Sequence, residues 1–125
     1  MRLLLAEDEK ALSKALTTIL ERNNYSVDAA YDGKEALEYL EADNYDGVIL
    51  DIMMPKIDGY KALASIRDAE RKLGTPRDKR CKVIMISALD EGFDASYASD
   101  DYEEYMCKPI DIMKFDSLIR KLEII

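Results

Sequence analysis

The sequence contains no histidine and no tryptophan, and only two cysteines, three prolines and five glycines among its 125 residues. Without histidine, a Ser-His-Asp or Cys-His nucleophile and a histidine-ligated zinc site are excluded, so any chemistry must run on carboxylates, hydroxyls and lysine. Cys81 and Cys107 lie far apart with no pairing pattern and read as reduced, buried small apolar residues. No apolar run approaches the ~20 residues needed to span a bilayer. Met1 leads directly into RLLLA without a basic segment or a small-residue cleavage site, so a secretory signal is not expected. The expected compartment is the cytoplasm, with no membrane contact. Basic charge is also in short supply: 18 Lys and Arg against 26 Asp and Glu give a net charge of −8. Direct nucleic-acid contact needs clustered cations and is not expected.

What is present is a globular composition, with 48% hydrophobic and 35% charged residues in a chain of single-domain length. One domain over residues 1–125 is expected. The apolar pattern alternates between short continuous runs and helical spacing. Strands are predicted at Arg2 to Ala6, Tyr25 to Tyr31, Asp46 to Leu50, Lys82 to Ser87 and Glu104 to Cys107. Helices are predicted over Glu9 to Asn23, with Leu12, Ala15, Leu16, Ile19 and Leu20 inward, and over Lys34 to Asp43, with Ala36, Leu37 and Leu40 inward. A third follows Asp58-Gly59, uses Tyr60, Leu63, Ala64 and Ile66, and stops at Gly74 and Pro76. The last covers Ile110 to Leu122 through Ile112, Phe115, Leu118, Ile119 and Leu122. Residues 89–103 hold six acids with Gly92, Ser96 and Ser99, so only a short or mobile helix is expected there. The basic loop GTPRDKRC, residues 74–81, reads as a solvated connection. Alternating units of this size imply an α/β doubly wound parallel sheet with helices on both faces.

In such a sheet the ligand site lies beyond the carboxyl ends of the strands, near the point where strand order reverses. The first predicted strand runs into Glu7-Asp8, the third into Asp51, the fourth ends on Ser87 and the fifth precedes Lys108. Three gathered carboxylates repel one another and call for a cation, and an all-oxygen set suits Mg2+. Lys108 and the Ser87 hydroxyl suit the oxygens of a phosphoryl group. Asp51 then reads as a nucleophile that takes phosphorus to form an aspartyl-phosphate.

The elements AEDE at 6–9, DIMMPKIDG at 51–59, ISA at 86–88 and YMCKP at 105–109 together make the whole chain resemble the receiver domain of a two-component response regulator. The resemblance implies a flavodoxin-like five-stranded sheet of order 2-1-3-4-5. It implies that Asp51 accepts a phosphoryl group from a phosphohistidine of a sensor histidine kinase or a phosphotransfer protein. It implies Mg2+ held by Asp8, Asp51, the Met53 carbonyl and, largely through water, Glu7. Ser87 and Tyr105 become the switch pair, the hydroxyl moving to the phosphoryl group and the ring turning inward, so that the surface offered to an effector or output domain changes. It further implies a cis Lys108-Pro109 peptide and leaves a phosphorylation-dependent homodimer open. Bulky Met53 and Leu89, two residues beyond Asp51 and Ser87, imply slow self-dephosphorylation. Asp101 and Tyr102 replace the small Gly-Ala pair usual before the switch aromatic, which leaves the output surface open.

Three rivals are weighed against this. A phosphatase using an aspartyl-phosphate needs a second Asp where Met53 stands. A flavin-binding relative needs a glycine or hydroxyl loop that residues 6–12 lack. A degenerate receiver that only docks would have lost site residues, whereas Glu7, Asp8, Asp51, Ser87 and Lys108 are all in place.

Overall fold

The computed structural model describes residues 2–51, 59–76, 79–87, 104–108 and 110–122. They form β1 (Arg2–Ala6), α1 (Lys10–Arg22), β2 (Ser26–Ala30), α2 (Gly33–Ala42), β3 (Gly47–Asp51), α3 (Gly59–Leu73), β4 (Lys82–Ser87), β5 (Glu104–Cys107) and α4 (Ile112–Leu122). The five strands make one sheet in the order β2-β1-β3-β4-β5 with every pair parallel. This is the flavodoxin-like order expected from the sequence. The short helix expected within 89–103, the Lys108-Pro109 peptide, and Met53, Leu89, Asp101 and Tyr102 lie outside the described residues.

Strand alternation divides the core in two. Leu4, Ala6, Val48, Leu50, Val83 and Met85 point to one face and pack on Ala36 of α2 and Ala62, Leu63 and Ile66 of α3. Leu3, Leu5, Ile49, Ile84 and Ile86 point to the other and pack on Leu16, Ile19 and Leu20 of α1 and Phe115 and Ile119 of α4. Central strands buried on both sides account for the unbroken apolar runs of β1, β3 and β4.

The inward faces differ from expectation at a few positions. Ala15 is exposed, and Ser13 is buried in its place. With the buried face centred on Leu16, Ala15 is rotated about 100° away whereas Ser13 is turned only about 60°. Ile112 is likewise exposed, and Ile110, just before α4, packs on the core instead. Cys81 is half-buried against the cluster that packs on α2 and α3, not fully buried.

Helix ends follow local chemistry. Asp32 caps α2 by accepting from the Glu35 N–H at 2.8 Å, and Asp111 accepts from Met113 and Lys114 at the start of α4. Gly74 ends α3 in the left-handed region at φ 66°, with the Thr75 N–H bonded back to the Glu70 carbonyl at 3.0 Å. A side chain at that φ would be strained, which is why glycine closes the helix there.

The loop after α3 is not simply a solvated connection. Arg67 is only 3% exposed and donates to Glu70 Oε1 at 2.8 Å and to the Cys81 carbonyl at 2.9 Å, while the Cys81 N–H donates to Glu70 Oε2 at 2.7 Å. The clamp fixes where β4 begins. Removing one partner of a buried ion pair leaves the other charge uncompensated, a loss of about 3 kcal/mol. Glu70→Ala is therefore expected to destabilise the domain by about that amount, read from urea unfolding midpoints, whereas Asp68→Ala on the exposed side of the same helix should change stability by under about 0.5 kcal/mol.

Candidate functional site

Register brings the polar strand ends to one edge. Ala6 pairs with Leu50, so Glu7 follows beside Asp51; Asp51 pairs with Ile86, and Ser87 pairs with Cys107, so Lys108 follows one position beyond Ser87. Asp51 is itself the last residue of β3 and not the first residue after it. Parity then selects a face. Glu7 continues the series of Leu3 and Leu5, Asp51 that of Ile49, and Lys108 that of Met106, and all these neighbours pack on the α1 and α4 side. Alternation thus aims two carboxylates and an ammonium at one another without any help from loops.

The contacts bear this out. Lys108 Nζ donates to Glu7 Oε1 at 2.8 Å and to Asp51 Oδ2 at 2.9 Å, with side-chain exposures of 17% for the lysine, 0% for Glu7 and 2% for Asp51. Asp8, the exposed member, completes the group: one carboxylate oxygen from each of Glu7, Asp8 and Asp51 lies within 4.8 Å of the others. Glu7 Oε1 also accepts from the Glu9 N–H at 3.1 Å, and the Glu7 N–H donates to the Ala30 carbonyl at 3.0 Å, which fixes its backbone between β1 and β2.

Electrostatics follow from this crowding. Burial pushes the Glu7 carboxyl up to about 7; the Lys108 hydrogen bond opposes the shift and the Asp51 carboxylate adds to it. For Lys108 burial works against the charged form, but its bonds to Glu7 and Asp51 outweigh it and hold the ammonium above its ordinary pKa. Two carboxylates 4.8 Å apart repel by about 3 kcal/mol at an effective dielectric near 20. One ammonium bonded to two of the three acids does not cancel that.

The donor set fits a hard divalent cation. It offers only oxygens, from three acids, and Glu7 Oε2 is buried with no hydrogen-bond partner among the described residues. A half-satisfied buried carboxylate next to two others is what Mg2+ and its waters would complete. Ser87 and Tyr105 are placed by backbone register alone, at the end of β4 and in β5 opposite Met85. Met53 lies outside the described residues.

Sequence reasoning did not single out one pair that adjoins the site along the chain. Lys10, the first residue of α1, carries its ammonium 5.6 Å from the centroid of the Tyr31 ring, at the end of β2. The signal available was a lysine two residues beyond Asp8 and an aromatic closing an otherwise small-residue strand.

The chain has many relatives. The family described as response regulator receiver domain matches residues 3–120. The transcriptional regulatory protein DltR of Streptococcus agalactiae is 37% identical over 121 residues, covering 96% of this chain and 50% of the relative. The response regulator ArlR of Staphylococcus saprophyticus is 35% identical over 123 residues, covering 97% of this chain and 51% of the relative. The chain thus spans about half the length of these curated relatives. Among solved structures, response regulator protein TrrA of Thermotoga maritima, in complex with Mg2+ and BeF, superimposes with a TM-score of 0.79 at 30% identity, covering 97% of both chains. The receiver domain of the Francisella response regulator 1452 gives a TM-score of 0.75 at 30% identity, covering 97% of this chain and 94% of that one. With its sheet order, the acidic strand edge and a family match over nearly its whole length, this chain belongs to the response regulator receiver domains of two-component signalling.

Proposed function

We propose that residues 1–125 act as a phosphorylation-dependent switch in which Asp51 accepts a phosphoryl group from the phosphohistidine of a sensor histidine kinase or a phosphotransfer protein, with Mg2+ as cofactor. The observation that carries this is the Lys108 ammonium bridging Glu7 and Asp51 beside Asp8. Two of the three acids are buried, and one cation is already aimed at the acceptor carboxylate.

In the transfer an Asp51 oxygen forms the bond to phosphorus as the phosphorus–nitrogen bond of the donor breaks; the electron pair stays on the imidazole, which takes up a proton. Asp8, Asp51, Glu7 and the Met53 carbonyl are the residues that would hold Mg2+, which when bound supplies neutralisation of the phosphoryl oxygens. Lys108 would give up its bond to Asp51 for a phosphoryl oxygen, adding a second positive contact. Ser87 would donate its hydroxyl to the same group and Tyr105 would reorient, biasing a two-state equilibrium of the surface that meets an effector or output domain. The chain would catalyse only its own phosphorylation and slow dephosphorylation, so it serves as a signalling domain and not as a turnover enzyme. No helix among the described residues is long and apolar enough to cross a membrane, and we place the domain in the cytoplasm, without direct nucleic-acid contact and with homodimerisation as a possible readout of phosphorylation.

The direct test is intact mass after incubation with acetyl phosphate and Mg2+. The parent should gain one phosphoryl group, and Asp51→Asn should gain none; an Asp51→Asn protein labelled as well as the parent contradicts the assignment. A parent that gains nothing would point instead to a receiver that only docks.

Glu7 generates a pH dependence. Its folded pKa of about 7 lies above its ordinary value of 4.5, so its neutral form favours the folded metal-free protein at low pH and that contribution is lost as pH rises through about 7. Metal-free parent is expected to lose thermal stability relative to Glu7→Gln between about pH 5 and 7. Mg2+ should bind the parent more tightly as pH rises to about 7, because the metal displaces the Glu7 proton, and calorimetry should find that trend flattened in Glu7→Gln.

A further inference from the structure

Lys10 and Lys108 are both close to the acidic edge in sequence and register, but they are held in different ways. Lys108 is bonded to two carboxylates, so most of its charge is neutralised where it stands. Lys10 is exposed and makes no ion pair among the described residues; its only polar contact there is the face of Tyr31. A ring face restrains an ammonium without cancelling its charge, because it offers a quadrupole and not a counterion. The pair also flanks the residues of the site along the chain. Lys10 opens α1 two residues after Asp8, and Tyr31 follows Ala30, whose carbonyl accepts from the Glu7 N–H at 3.0 Å. Tyr31 stays 39% exposed, although large apolar rings usually find cover.

We infer that Lys10, held over the Tyr31 ring, is a steering residue for the anionic phosphodonor, a role that rests on the phosphoacceptor reading of Asp51. A donor that brings a dianionic phosphoryl group to this edge meets the carboxylates of Glu7, Asp8 and Asp51 in a chain of net charge −8. An un-neutralised cation two residues from Asp8 lowers that barrier to encounter without touching the reacting atoms. Tyr31 is the positioning residue for it. The same field acts with opposite sign on Mg2+, which Lys10 must repel weakly.

That opposition of sign is the test. Labelling rates with subsaturating acetyl phosphate at low ionic strength and Mg2+ affinities by calorimetry are measured for the parent, Lys10→Gln, Lys10→Glu, Tyr31→Phe and Tyr31→Leu. At a separation of roughly 10 Å, partly screened, one charge against a divalent group is worth about threefold. Lys10→Gln should label about threefold more slowly and bind Mg2+ about threefold more tightly, with Lys10→Glu shifting both by about tenfold. Added salt should close the gaps. Tyr31→Phe, which keeps the ring, should match the parent, and Tyr31→Leu should lie between the parent and Lys10→Gln. A Lys10→Glu protein that labels at the parent rate overturns the inference, as does a fall of rate and Mg2+ affinity together, which a structural lesion would give. If the parent itself takes no label, the phosphoacceptor reading fails, and the Mg2+ affinities alone then decide whether Lys10 projects its charge onto the site.

Discussion

The Lys108 ammonium held between Glu7 and Asp51 at 2.8 and 2.9 Å is the interaction on which the rest of the arrangement depends. Taking two carboxylates out of water costs several kcal/mol each, and only a cation in direct contact offsets that. The cation comes from the turn after β5, the last strand of the sheet. Every element between Asp51 and Lys108 must therefore fold in its proper place before the acids of β1 and β3 become tolerable. The acidic edge and the sheet that carries it are coupled through one side chain.

Register does the rest. A one-residue slip between β1 and β3 would turn Glu7 toward α2 and α3 and leave Asp51 facing apolar side chains. Such a slip would also bury Leu4 and Ala6 where Leu3 and Leu5 now meet Phe115 and Leu16, so the hydrophobic pattern defends the site geometry indirectly. The large core residues and the small functional group are in this sense one specification. The Arg67–Glu70 clamp on Cys81 contributes at the far end of β4, setting where that strand starts and hence where Ser87 falls against Cys107.

How much of this could be read in advance depends on the range of the interaction. The strands were legible because GVIL and VIMI are apolar throughout, and Glu7, Asp8, Asp51 and Lys108 only as a group, since each alone also reads as a turn former, a helix start or a surface charge. The site was legible as a convergence of strand ends, and the structure brings Glu7, Asp8, Asp51 and Lys108 together as that reading requires. What escaped were pairings fixed by the relation of one element to another. Arg67 looks like any surface arginine of α3 until the start of β4 is laid beside it. Ser13 and Ala15 exchange places because helical spacing gives a face but not the rotation of that face against the sheet. Lys10 and Tyr31 meet only because β1 and β2 end side by side.

The two poles of the sheet show where unmatched charge has been left. At the amino ends of β1 and β2, Arg2 pairs with Asp28 and Asp43, its N–H donates to Asp46 at 2.9 Å, and its guanidinium lies 5.2 Å from the Tyr45 ring centroid. The Tyr45 hydroxyl, donating at 2.7 Å, together with Arg2 holds Asp28 below the usual carboxylate range, and Arg2 does the same for Asp43. Asp28 and Asp43 are thus more comfortable folded than unfolded. At the carboxyl ends the sign is reversed: Glu7 is pushed up, and its Oε2 finds no partner among the described residues. A chain that can satisfy acids at one pole and fails to do so at the other is storing free energy at the second, and a ligand that binds only the folded state recovers it as affinity. On the proposed reading, a dication or a phosphoryl group held by metal and lysine would draw on that same store, and the electrostatic strain of the resting site would then set how far its two states differ.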